Sequence, residues 1–226
     1  MSAGELLRKS PLFAGLSEED LVVLAGCLGR RVFGRGVIIF HKDSPGHTLY
    51  LIESGRVRTF ILSDSGQEIS LSLFGSGDAF GELAFLDGLP RSVGAIAIEP
   101  VVTFTLTRED FLQCLNQHPL LAQSILQVLS IRMRYLSSFI ENLAFLDVNG
   151  RLASRLLDLA DRCGAQADNQ EIPLDLTQAD LASWVASTRE SVNKALNKFR
   201  DLGLIQVNGR RITIQDRRGL QKQIVM

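Results

Sequence analysis

The chain has little of what would tie it to a membrane, a metal or a covalent framework. No apolar run approaches the roughly 18 residues that a membrane helix needs; the longest near the start is Leu21-Val22-Val23-Leu24-Ala25. No basic segment followed by an apolar stretch opens the sequence, so a secretory leader is not expected. Cysteine is scarce: Cys27, Cys114 and Cys163 lie far apart, and their odd number leaves one over from any pairing. That argues against a disulfide framework and a CxxC metal site, and predicts reduced thiols in a cytoplasmic protein. His41, His47 and His118 lack i,i+4 partners, so no zinc site is expected. A nucleophile–base pair and a Gly-rich phosphate loop are both missing, so neither an enzyme nor a prosthetic group is expected.

What is present is 226 residues, 46% of them apolar and 22% charged. With a mean hydropathy of +0.13, this composition supports buried cores, and the length fits two ordinary domains. The formal charge of −1 hides an asymmetry. Residues 1–147 carry 12 Lys and Arg against 16 Asp and Glu, whereas residues 148–226 carry 12 against 9. From Arg189 onward the count is 9 basic to 3 acidic. Such a basic end is either a nucleic-acid footprint or a solvated tail.

Texture divides the chain further. Ser17-x-x-Asp20 caps a helix whose Leu21, Leu24, Ala25 and Leu28 share a face. Ten of the nineteen glycines fall between Gly34 and Gly94, separating short β-prone runs at 37–40, 48–52, 57–62 and 69–73, with another at 101–106. This pattern predicts an antiparallel jelly-roll β-barrel. No glycine then occurs until Gly150, and Leu126, Leu129, Met133, Leu136, Ile140 and Leu143 step by three and four. The seam predicts a long helix, from about 110 to 146, that forms a dimer through these residues. Packing on the chain's own barrel would also give an apolar face. Asp147 is expected to cap a new helix with Leu152, Leu156, Leu159 and Ala160 on its buried side. The domain boundary is placed there, giving 1–146 and 147–226.

Beyond that point Thr177-x-x-Asp180 opens a helix through Trp184 and Val185, and a tight break follows at Ala186-Ser187. A second helix, capped by Ser187 or Thr188, would bury Val192, Ala195, Leu196 and Phe199. Arg189 then stands at its exposed first turn, with Glu190, Asn193, Lys194 and Asn197 on the open face. Asn208-Gly209 between two β-prone runs predicts a hairpin with a type I′ turn. Two short helices at a tight turn, followed by a hairpin, make a winged helix-turn-helix. The fold class is α+β.

Pro11-Leu12-Phe13-Ala14-Gly15-Leu16-Ser17, Phe80-Gly81-Glu82-Leu83-Ala84 through Pro90-Arg91-Ser92, Asn142-Leu143-Ala144-Phe145-Leu146-Asp147-Val148 and Thr188-Arg189-Glu190-Ser191-Val192 together resemble the Crp/Fnr family of bacterial transcription regulators. The resemblance covers nearly the whole chain in the family's order. It implies a cyclic nucleotide-binding domain with ligand contacts at Gly81, Glu82, Leu83, Ala84, Arg91 and Ser92. The residues suit that role physically. Gly81 lets backbone N–H groups approach an anion at a short helix start. Arg91 is a forked cation for a phosphodiester, Ser92 a donor, and Glu82 an acceptor for a ribose hydroxyl. The alternative is a surface turn carrying an ordinary Glu–Arg pair worth about 1 kcal/mol or less; spacing and order together favour the nucleotide site.

In the cyclic AMP receptor protein of that family, a Thr and a Ser on the dimer helix recognise adenine. Counting back from Asn142, the positions here are Leu136 and Ser137, so one handle on the base is lost. Cyclic AMP is the first expectation for the effector; cyclic GMP, another small effector or none is the alternative. The cysteine cluster of Fnr-like oxygen sensors is absent, since Cys27 stands alone near the start. The resemblance further implies a homodimer on pseudo-palindromic double-stranded DNA with half-sites like TGTGA. RNA polymerase would be a further partner, facing the loop from Arg162 to Pro173. The DNA-facing set is Thr188, Arg189, Glu190, Ser191, Lys194, Arg210 and Arg211: Arg189 suits guanine O6 and N7, and Glu190 suits cytosine N4. Lys194 stands where the family usually has Arg. A nucleotide-binding regulatory subunit of a partner protein is the non-DNA alternative, and it would leave the basic winged helix without a purpose.

Overall fold

The computed structural model describes residues 2–224. Contacts divide the chain into two units: the first runs to Ile61 and takes in Ser72–Tyr135, and the second comprises Leu62–Leu71 and the chain from Leu136 onward.

The first unit opens with α1 (Ala3–Lys9) and α2 (Glu18–Gly26). Their N-termini are closed by reciprocal capping boxes, Ser2 with Glu5 and Ser17 with Asp20. The barrel strands are β1 (Gly29–Phe33), β2 (Ile38–Phe40), β3 (Thr48–Ser54), β4 (Val57–Leu62), β5 (Glu68–Phe74), β6 (Ala79–Phe80), β7 (Gly94–Ala97) and β8 (Val101–Thr107), with α3 (Glu82–Asp87) between β6 and β7. They form two sheets ordered β1-β8-β3-β6 and β2-β7-β4-β5, and every recorded pairing is antiparallel. The predicted jelly-roll class therefore stands.

Strand β3 shows why its sequence is continuously apolar rather than alternating. Successive side chains point to opposite faces, and both faces here are covered. Leu49 and Leu51 join the core made with Leu6, Phe13, Phe85 and Phe111. Tyr50 and Ile52 point the other way, into a cluster with Val57, Phe80 and Ala95.

Three strands of this unit were not anticipated, each for a local reason. β1 is a sheet edge, largely exposed and carrying Arg30 and Arg31. β6 is two residues long, and β7 reads Gly-Ala-Ile-Ala, too small to signal a strand.

The helix expected from about 110 to 146 is instead two, α4 (Arg108–Gln117) and the long α5 (Leu120–Phe145); Pro119 breaks the span, since the residue before a proline is disfavoured in a helix. Its predicted seam is uneven. Leu126, Met133 and Ile140 are 64%, 71% and 64% exposed, whereas Leu129 packs onto the core of its own unit. No described helix is long and apolar enough to cross a membrane.

The second unit contains α6 (Val148–Arg162), β9 (Gln170–Ile172), α7 (Gln178–Trp184), α8 (Arg189–Asp201), β10 (Ile205–Asn208), β11 (Arg211–Ile214) and α9 (Arg217–Gln221). Asp147 caps α6 as expected, accepting from the Gly150 N–H at 2.8 Å, and Leu152, Leu156, Leu159 and Ala160 are buried. Arg155 is buried beside them. Its guanidinium lies 4.6 Å from the Trp184 ring centroid and 5.3 Å from that of Phe139, and 2.9 Å from Asp158. Ser70 brings the segment Leu62–Leu71 into this unit, its buried hydroxyl 2.7 Å from that of Ser183.

The wing corrects one expectation. Asn208 pairs with Arg211 across the hairpin, so Gly209 and Arg210 form the turn. Of the residues in this turn only Gly209 takes a positive φ, +61°. That is the type II′ pattern, with glycine first, rather than the type I′ pattern centred on Asn208-Gly209. Strand β9 adds a third, unanticipated strand beside β11.

Candidate functional site

An aromatic cluster inside the barrel lies against Arg91. Sheet pairing sets Phe80 opposite Tyr50, and their rings stack with centroids 5.0 Å apart. Phe40 joins them, 6.0 Å from Phe80 and 5.9 Å from Tyr50. Arg91 is only 4% exposed. Its guanidinium lies 4.2 Å from the Phe40 centroid.

A buried guanidinium must find acceptors. Arg91 Nη1 donates to the Gly81 carbonyl at 2.6 Å and Nη2 to the Thr48 carbonyl at 2.7 Å. Nε is buried without a hydrogen-bond partner. Burial pushes the Arg91 guanidinium below its usual range, while Tyr50 and Glu82 act in the other direction. Backbone bonds anchor the residue on both sides: Arg91 N–H donates to Ser44 O, and Asp43 N–H to Arg91 O, each at 2.8 Å.

Gly81 caps α3 in the left-handed region, with φ +82°. That conformation favours glycine, and a Cβ there would fall 2.6 Å from Arg91 Nη1 and displace the guanidinium. Arg108 holds the other end of α3, donating from Nε to Phe85 O at 2.9 Å.

Glu82 is buried, and its carboxylate forms an ion pair with Arg132 of α5. Arg132 also donates to the Ala79 carbonyl and lies 5.0 Å from the Phe74 ring centroid. Sequence reading missed Arg132, Phe40, Tyr50 and the Thr48 carbonyl. An arginine inside an apolar helical stretch was the signal for the first of these.

Of the residues singled out from the sequence, the structure brings Gly81, Glu82 and Arg91 together. Ala84 is buried on α3, while Leu83 and Ser92 face solvent. Leu136 and Ser137 follow one turn after Arg132 on α5, both exposed, in the stretch that belongs to the second unit. Among the described residues no group of three or more His, Cys, Asp or Glu side chains could hold a metal ion.

In the second unit α8 presents the expected open face. Thr188 is its cap, accepting from Ser191 N–H at 3.1 Å and donating to the Ser191 hydroxyl at 3.0 Å. Arg189, Glu190, Asn193 and Lys194 are exposed. Lys194 Nζ lies 2.8 Å from Glu190 Oε1, and this hydrogen bond lowers the Glu190 pKa and raises that of Lys194. A groove of about 370 Å³ runs between the start of α7, α8 and the wing, lined by Gln178, Arg189, Leu196, Gly209 and Arg210 among others. Arg211, by contrast, is paired with acids of its own unit, 2.8 Å from Asp175 and 3.3 Å from Glu171.

These two sites have counterparts in known proteins. Residues 30–118 match the cyclic nucleotide-binding domain family, and residues 150–223 match the Crp-like helix-turn-helix domain family. The chain is 34% identical over 220 residues to a CRP-like cAMP-activated global transcriptional regulator of Mycobacterium tuberculosis, covering 97% of this chain and 98% of that protein. It is 32% identical over 211 residues to the cyclic AMP receptor protein of Thermus thermophilus, covering 93% and 94%. Among solved structures, the c-di-GMP-responsive global regulator CLP of Xanthomonas campestris superposes with a TM-score of 0.78 at 25% identity, over 88% of this chain and 99% of that one. With a nucleotide-binding barrel and a DNA-binding winged helix in one chain, matched along nearly its full length, the protein belongs to the Crp/Fnr family of transcription regulators.

Proposed function

We propose that the chain is a dimeric regulator whose affinity for DNA is gated by a cyclic nucleotide, with cyclic AMP the first effector. The observation that carries this reading is Arg91. A guanidinium buried among aromatic rings, with Nε unpartnered, is a costly arrangement unless an anion uses it. A cyclic phosphodiester fits: Arg91 would bind its oxygens, Ser92 and the α3 N-terminus would add donors, and Glu82 would accept from the ribose 2′-hydroxyl. Two bonds stand in the way, because Arg91 donates to Gly81 O and Thr48 O. The ligand must take over from those carbonyls.

Gating follows from Arg132. It ties α5 to Glu82 and to Ala79, so a ribose hydroxyl that competes for Glu82 changes the tether of the long helix. The population shift on α5 then alters how the two recognition helices are presented to DNA. In this division of labour residues 1–146 sense and dimerise, and residues 147–226 bind a pseudo-palindromic site.

A second effector reading is favoured by Leu136, which offers adenine no hydrogen bond. The same pocket would then serve cyclic GMP or another small effector. Calorimetric titration with cyclic AMP, cyclic GMP and cyclic di-GMP decides between them. Arg91→Ala should reduce affinity for the true effector by about 2–4 kcal/mol, the scale of a buried charge-assisted contact. Unchanged titration of this variant would overturn the pocket assignment.

A further inference from the structure

The open face of α8 carries two asparagines, Asn193 and Asn197, that the proposed DNA contacts leave unused; Asn193 is the one nearer the helix start. With about 100° per residue, Asn193 falls between Arg189 and Glu190 around the helix axis and one turn beyond Arg189. It therefore lies on the Arg189 side of the face that turns away from the buried Val192, Ala195, Leu196 and Phe199. Its amide is also oriented from outside its own helix: Gln178 Nε2, at the first position of α7, donates to Asn193 Oδ1 at 3.0 Å. Gln178 lines the groove together with Arg189 and Arg210.

We propose that Gln178 and Asn193 form an amide relay, in which Gln178 positions Asn193 as a third base-reading side chain of the recognition helix. The chemistry is set by which end of the amide is engaged. Asparagine reads adenine by accepting from N6 while donating to N7. With Oδ1 turned toward Gln178, Asn193 offers the groove its Nδ2 donors. That favours a base edge presenting acceptors, guanine O6 and N7 or thymine O4. Arg189 and Glu190 each read a charge-matched edge; Asn193 adds a neutral donor position between them. The relay rests on α8 being the recognition helix, a reading that Arg189→Ala reports separately through its own position.

The test is selection from a duplex library with randomised half-sites at fixed salt, comparing the full-length protein with Asn193→Ala, Gln178→Ala and Gln178→Glu. The wild type should prefer guanine or thymine at one symmetric pair of positions next to those read by Arg189. Asn193→Ala and Gln178→Ala should each reduce that preference about tenfold and leave the Arg189 positions intact. Gln178→Glu is the sharper variant. A carboxylate only accepts, so Asn193 must turn Nδ2 toward it and present Oδ1 to the groove. The preference should then reverse to adenine or cytosine, whose exocyclic amines donate. The added charge weakens all sequences alike and cancels in the ratio. A flat wild-type profile at these positions, an unchanged profile in Asn193→Ala, or no reversal in Gln178→Glu would each overturn the relay.

Discussion

At the scale of the residue, the candidate site turns on two arginines, Arg91 and Arg132. Arg91 lies against the rings of Phe40 and Tyr50 and is bonded to two backbone carbonyls. Arg132 arrives from α5 and neutralises Glu82. Neither pairing was visible in the sequence, because a β-sheet register and a helix docking across some fifty positions create them. The Gly81, Glu82 and Arg91 set itself was legible, because the run Phe80–Ala84 through Pro90–Ser92 resembles the family's motif. Position 136 tests what the base edge meets. Leu136→Thr supplies a donor and an acceptor, and should raise affinity for cyclic AMP relative to cyclic GMP by about 1 kcal/mol, the net worth of one hydrogen bond. Competition binding checks it; a shift toward cyclic GMP would place the adenine elsewhere.

At the scale of the element, the caps carry most of what the sequence declares. Ser17, Asp147, Thr177 and Thr188 each stand at the N-cap of the helix that follows, since a capping side chain acts locally and needs no tertiary partner. The hairpin turn was misplaced by one residue for the opposite reason: its register is set by the pairing of β10 and β11 with the rest of the sheet, which Asn208-Gly209 alone does not specify. Asp147 gives a quantitative test. The Gly150 N–H holds its carboxyl below the ordinary aspartate range, with desolvation opposing and the Asn149 amides adding to the effect. Its folded pKa is depressed, so its stabilisation is present above the unfolded carboxylate pKa and is lost as pH falls through the folded value. Asp147→Ala should cost about 1 kcal/mol at neutral pH in urea unfolding. Asp147→Asn should retain most of the cap and remove its share of the acid dependence.

At the scale of the whole molecule, the exposed face of α5 is the feature that asks for a second copy. Leu126, Met133, Leu136 and Ile140 are all solvent-exposed in the single chain, a stripe that three heptads of coiled-coil pairing would bury. Leu129 was read as part of the same seam, but a helix lying on a barrel must spend part of its apolar arc there, and Leu129 lies on that side. The informative dimer variant is therefore Met133→Glu with Ile140→Glu, which places like charges across the seam without touching the core. Sedimentation should show a monomer; a persistent dimer would locate the interface elsewhere. In the wing, Arg211 belongs to the DNA-facing set expected from sequence, and in the structure Asp175 and Glu171 engage it. Its neighbour Arg210 lines the groove.

The most direct test of gating is fluorescence anisotropy with a labelled pseudo-palindromic duplex, titrated with and without cyclic nucleotide. The nucleotide should tighten DNA binding at least about tenfold, the lower range of a 1–3 kcal/mol coupling. Arg132→Ala should keep nucleotide binding measurable while collapsing that ratio toward one. Equal DNA affinity with and without nucleotide in the wild type, or an undiminished ratio in Arg132→Ala, would contradict the account.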